Sequence, residues 1–155
     1  MLNESRKNRM KKIIIAVSLI FVAGIIYPQQ KNHKWIPVEI KNAWAHPGSK
    51  EASSAIYFSV INKNGKADTL LNVKSRIAEK TELHESFRKS NDRIGMRQVK
   101  FVPVPANSKT EFELGGSHIM IVNLFKDLNT GSSIEATLNF KYSGKIKIKP
   151  VVEDR

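Results

Sequence analysis

Beyond residue 34 no stretch of this chain repeats its apolar residues at a period of 3.6. Short alternating runs are instead cut apart by turn chemistry every few residues. The turn signals are His46-Pro47-Gly48-Ser49, Asn62-Lys63-Asn64-Gly65, residues 88–92 and 103–108, Gly115-Gly116 and Tyr142-Ser143-Gly144. Between them the pattern predicts strands over 36–45, 55–62, 69–74, 80–85, 93–101, 110–114, 118–123, 133–140 and 145–151. The last of these shows the rule plainly, because Lys145, Lys147 and Lys149 alternate with Ile146 and Ile148, one face wet and the other buried. Eight or nine short strands without helical crossovers predict an all-β chain, folded as an antiparallel Greek-key sandwich or barrel.

A chain of 155 residues provides for one such domain. It contains no cysteine, which removes disulfides, thiolate zinc sites, iron–sulfur clusters and cysteine nucleophiles together. The formal net charge of +12 raises the question of nucleic acid, but its placement points elsewhere. Residues 1–12 carry Arg6, Lys7, Arg9, Lys11 and Lys12 against Glu4, and residues 13–27 follow without a charge. A basic n-region and an apolar run of this length read as a signal peptide or an uncleaved membrane anchor, with residues 28–34 as a tether. Positive-inside logic leaves the N-terminus in the cytoplasm and sends residues 29–155 to the periplasmic or other extracytoplasmic face. Of the +12, residues 1–12 hold +4 and the exported part keeps +8. Outside the cytoplasm that charge suits anionic lipids or an acidic partner, and nucleic acid is not expected.

Chemistry-bearing residues are few. His118 and Met120 stand two apart after Gly115-Gly116, so in a strand their side chains leave the same face. Outside the N-terminal region the only other methionine is Met96. If the strands at 80–85 and 93–101 form a hairpin centred on Ser90, His84 faces Met96, on a polar face shared with Glu82, Gln98 and Lys100. Leu83, Val99 and Phe101 then make the core face, and Arg97 is a misfit. Two imidazoles and two thioethers form a neutral, soft donor set, which selects Cu(I) over zinc, calcium or magnesium. A blue-copper electron carrier would need a thiolate, which the chain lacks. Glu111 and Glu113 read as a solvated face opposite Phe112 and Leu114, Trp44 as core, and His46 as a turn residue within reach of an auxiliary ligand role.

The spacing His84, eleven residues, Met96, twenty-one residues, His118, one residue, Met120 resembles the signature of the periplasmic copper chaperone family called PCu(A)C. The likeness extends over Ala43-Trp44-Ala45, Ala55-Ile56-Tyr57, Asp68-Thr69-Leu70-Leu71, Glu82-Leu83-His84-Glu85, Gly115–Met120 and Leu138-Asn139-Phe140. This resemblance implies a cupredoxin-like domain over residues 35–155 that binds Cu(I) through His84, Met96, His118 and Met120. It also implies delivery of the metal to a recipient protein, a cytochrome c oxidase subunit or its assembly factor, and a chaperone, not an enzyme. The competing expectation is a structural or adhesive β-sandwich module that uses its basic face for contact and holds no metal.

Overall fold

The computed structural model describes residues 35–89 and 93–155. The basic n-region, the apolar run and the tether lie outside these residues, as does the hairpin centre at Ser90. The described chain is β1 (Glu39–Ala45), β2 (Ser54–Asn62), β3 (Asp68–Ser75), β4 (Ala78–Arg88), β5 (Ile94–Gln98), β6 (Val102–Val104), β7 (Ser108–Phe112), β8 (Ser117–Leu124), β9 (Ala136–Phe140), β10 (Gly144–Ile148) and β11 (Val151–Val152).

They form two sheets, one in the order β11-β1-β2-β7-β8-β4-β5 and the other β10-β9-β3-β6. Each expected strand is present, and two more appear. β6 lies in a segment whose prolines read as turn, and it pairs with β3 through Asp68↔Val104 and Leu70↔Val102. The expected last strand is divided at Pro150, which has no amide hydrogen to give to a ladder. Before that proline β10 pairs with β9, and after it β11 joins β1 in the other sheet, in parallel. The architecture is therefore an open cupredoxin-like sandwich with a mixed sheet, not the wholly antiparallel one expected.

A single core fills the space between the sheets. Ile56, Phe58, Val60, Leu83, Ile119 and Ile121 come from one side, and Leu70, Val73, Leu138, Phe140 and Val104 from the other. Phe58 and Phe112 stack inside it at 4.3 Å. Buried polar groups bind the loops to this core. Asn62 donates to the carbonyls of Lys66, Val104 and Pro105 and accepts from Asn64. Asp68 accepts from the backbone amides of Thr69, Tyr142 and Ser143 and from the Ser143 hydroxyl, which in turn accepts from Trp35 and Val38.

One irregularity positions everything that follows. β2 pairs antiparallel with β7 as far as Phe58↔Phe112, and with β8 from Ile56↔Ile119 onward. β7 and β8 thus follow one another along the same partner. Between them residues 113–118 make an excursion opposite the lone Tyr57. Gly115 turns it at φ 77°, a conformation that glycine adopts without cost. The turn is closed by Glu113 N–H to the Ser117 carbonyl at 2.8 Å and Gly116 N–H to the Glu113 carbonyl at 3.1 Å.

Candidate metal centre

The inner face of the seven-stranded sheet carries the core, so residues of opposite parity point outward. On β8 these are His118 and Met120, on β4 Glu82 and His84, on β1 and β2 Trp44, Ala55 and Tyr57. The ladder between β4 and β8 sets His84 directly beside His118 and Glu82 beside Met120. Ala55 flanks Met120 from the other side. The His84 and His118 rings lie 5.8 Å apart between centroids. Tyr57 closes on His118 at 6.2 Å and stacks with Trp44 at 4.5 Å, forming a small apolar wall. The excursion at residues 113–118 delivers His118 to this place: a bulge re-aims a side chain where a regular strand would continue its ladder.

The hydrogen bonds fix which ring nitrogens are free. Nδ1 of His118 lies 3.1 Å from the Gly116 carbonyl, which can only accept, so Nδ1 carries the proton and Nε2 the lone pair. His118 is 4% exposed. Burial holds its pKa below the ordinary imidazole value, the bond to Gly116 pulls the other way, and the neighbouring His84 adds to the lowering. At neutral pH the ring is therefore an electron-pair donor. Nε2 of His84 lies 2.9 Å from Glu82 Oε2, again an acceptor. That leaves the His84 lone pair at Nδ1, and this atom is buried without a hydrogen-bond partner. An orphaned buried nitrogen is costly unless something comes to meet it. Its ring is held by a carboxylate in the manner of metal-ligating histidines.

Three of the four expected residues, His84, His118 and Met120, are thus contiguous on one face. The fourth is placed less closely. In the β4–β5 hairpin Ser86 pairs with Met96 and His84 with Gln98, so the register differs by two residues from that expected about Ser90. A shift of two preserves the face, and Met96 stays on the side of His84 as its diagonal neighbour. Its side chain is 60% exposed, at the rim of the site. The hairpin reaches past the core, which explains two further departures. Arg97 is no misfit: it pairs with Glu85 at 3.0 Å and lies over the Phe87 ring. Phe101, expected in the core, is 56% exposed beyond the end of β5. Leu114, likewise expected opposite the glutamates, is 60% exposed because β7 ends at Phe112.

Glu82 is the residue that sequence reasoning left on a polar face without a role. The available signal was its position two residues before His84, on the same side of the strand. Among the described residues no three of His, Asp and Glu gather as a hard-donor site, so an ion here would rest on imidazole and thioether. His46 is not part of the group. Its Nδ1 donates to the Pro47 carbonyl at 3.0 Å and its Nε2 faces Asp154 at 3.9 Å. Trp44 is buried as expected, but in the outer wall and not in the main core.

Residues 38–152 match the LpqE-like family, described as "Putative lipoprotein LpqE-like". The uncharacterized protein RP573 of Rickettsia prowazekii (strain Madrid E) is 31% identical over 111 residues, which cover 66% of this chain and 59% of that protein. This chain therefore spans less than two thirds of that relative. Among solved structures, the copper-bound PCuAC domain from PmoF2 superposes with a TM-score of 0.65 at 24% identity, over 78% of this chain and 96% of that one. The CuI-DR1885 structure from Deinococcus radiodurans does so with a TM-score of 0.59 at 19% identity, over 81% and 85%. The fold is that of the PCuAC domains, as the spacing of the four residues implied.

Proposed function

This chain belongs to the LpqE-like family, and from that premise we propose that it is an extracytoplasmic copper chaperone. It binds one Cu(I) through His84, Met96, His118 and Met120 and passes it on by ligand exchange. The recipient is a protein of the copper-handling machinery, a cytochrome c oxidase subunit or its assembly factor. The protein is a carrier and not an enzyme.

The observation that carries this reading is the pair of imidazole lone pairs left over at one spot, above all the buried and unpartnered Nδ1 of His84. A purely structural or adhesive module would gain nothing from that orphan. Two thioethers complete a set with no net charge, which suits a monovalent soft cation. The PCuAC domain from PmoF2 and DR1885 are recorded with copper on the same fold, which supports the same cargo here.

Each residue has a separate part in the transfer. Glu82 and the Gly116 carbonyl hold the two neighbouring rings by one nitrogen each, which leaves Nδ1 of His84 and Nε2 of His118 for the metal. Tyr57 and Trp44 shield one side of His118 from water. Met96, on the exposed rim, is the ligand an incoming donor displaces first, so the metal is shared before the imidazoles release it.

Anaerobic titration of the full chain with Cu(I) against a chelator of known affinity tests the reading. One equivalent is expected, with Met120→Ala and His84→Ala each weakening binding at least tenfold. If the parent took up no copper, or the two methionine variants Met96→Ala and Met120→Ala bound as tightly as the parent, the proposal would fail.

A further inference from the structure

The outer face of the four-stranded sheet is as basic as the opposite face is mixed. Lys74 of β3, Thr137 of β9 and Lys147 of β10 form one cross-strand row, and Asn72, Asn139 and Lys145 the next. Arg76 and Lys126 join Lys74 and Lys147 around a groove of about 780 Å³ whose only carboxylate is Glu135. Lys149 extends the line of β10 beside Thr137. Six cations from separate segments thus share one surface.

None of these six makes an ion pair among the described residues. On the other sheet, by contrast, Glu39 takes Lys41 and Lys63, Glu79 takes Lys80, Glu85 takes Arg97, and Glu111 takes Lys109. Carboxylates are thus spent on one side of the sandwich, and unpaired lysines repel one another on the other. Such a field favours a negatively charged counterpart.

We propose that this face docks on an anionic phospholipid surface. The chemistry between the cations selects that partner. The rows offer Thr137, Asn72 and Asn139, with no aromatic side chain on which a base could stack, unlike single-strand nucleic-acid platforms. The rows themselves carry no apolar side chain, and the two isoleucines of the groove, Ile77 and Ile134, pack into the core instead of projecting as the kind of anchor that a protein interface uses. A broad array of ammonium groups without a wedge matches a sheet of phosphate headgroups, to which each basic residue adds about fivefold in partition. Docked in this way, the sandwich turns the His84–His118 face away from the bilayer, toward a partner. The proposal itself does not depend on copper.

Co-sedimentation of the metal-free full chain tests it, with vesicles of pure phosphatidylcholine and of phosphatidylcholine mixed with phosphatidylglycerol. Lys145→Gln/Lys147→Gln should lower the phosphatidylglycerol-dependent partition about 25-fold, two charges at fivefold each. Partition to pure phosphatidylcholine should stay the same, because the N-terminal segment is common to both proteins. Lys41→Gln/Lys109→Gln removes the same net charge from the other sheet and should change little. Equal partition of the parent to both vesicles, or equal losses in the two double variants, would overturn the proposal. So would tighter binding to a duplex DNA oligonucleotide than to the acidic vesicles, if it were lost in the Lys145/Lys147 variant.

Discussion

Glu82 decides how His84 presents itself, because a carboxylate on Nε2 commits that nitrogen to its proton and leaves the lone pair on Nδ1. Glu82→Ala should therefore weaken Cu(I) binding by tenfold or more in the chelator competition. Glu82→Gln, whose amide oxygen can still accept, should lose less. Equal losses in both would mean that the carboxylate's charge, not its hydrogen bond, matters. Glu111 supplies a second test at this scale. Lys109 and the Ser59 hydroxyl, the latter at 2.6 Å, hold its carboxyl below the usual range. A carboxyl whose folded pKa is depressed contributes stability above the unfolded value near 4.5, and that contribution is lost as pH falls through the folded one. Chemical denaturation between pH 6 and pH 3, on the order of the carboxylate range, should thus show a shallower acid limb for Glu111→Gln than for the parent. The ligand candidates were legible residue by residue, since alternation places His118 with Met120 whatever the rest of the fold does. The proton positions on the rings were not, for they depend on a backbone carbonyl and a neighbouring carboxylate that only the assembled strands bring near.

Strands show where such reading stops. Nine elements announced themselves by alternation, whereas β6 and β11 have three and two residues and offer no period to detect. The hairpin register depended on knowing the turn, and a two-residue difference moved Met96 along the strand without changing its side. The excursion between β7 and β8 was marked by Gly115-Gly116, though not its consequence for β2. A cheap perturbation isolates that consequence. A Cβ at Gly115 would meet no atom within 4 Å, so Gly115→Ala tests backbone conformation alone. It should cost about 1 kcal/mol in urea unfolding because φ lies in the left-handed region. It should also weaken Cu(I) binding, since His118 sits three residues on. Unchanged binding with reduced stability would show that the turn supports the strand and not the ring.

For the molecule as a whole, stability rests on the core between the sheets and on a few buried polar ties. Leu138→Ala removes a fully buried side chain from the four-stranded side and should cost about 2–5 kcal/mol. Asn62→Ala takes the side-chain donor from the carbonyls of Lys66 and Val104, while Pro105 keeps the Ser108 hydroxyl, at a cost of about 2 kcal/mol. Guanidinium denaturation reads both. The all-β class was evident from the sequence, because patterning alone narrows the fold to a sandwich or barrel, and the two open sheets decide between them. The parallel β1–β11 pair was not, since it follows from Pro150 diverting the chain between sheets. Neither surface with a proposed task lends a side chain to the core. They lie on opposite outer faces, with two sheets about 10 Å apart between them. Substitutions on them should therefore be energetically independent: the free-energy changes of His84→Ala and Lys147→Gln should sum in the double variant, for metal affinity and for vesicle partition alike. A sandwich built in this way lets mutation revise either outer face without rewriting the other.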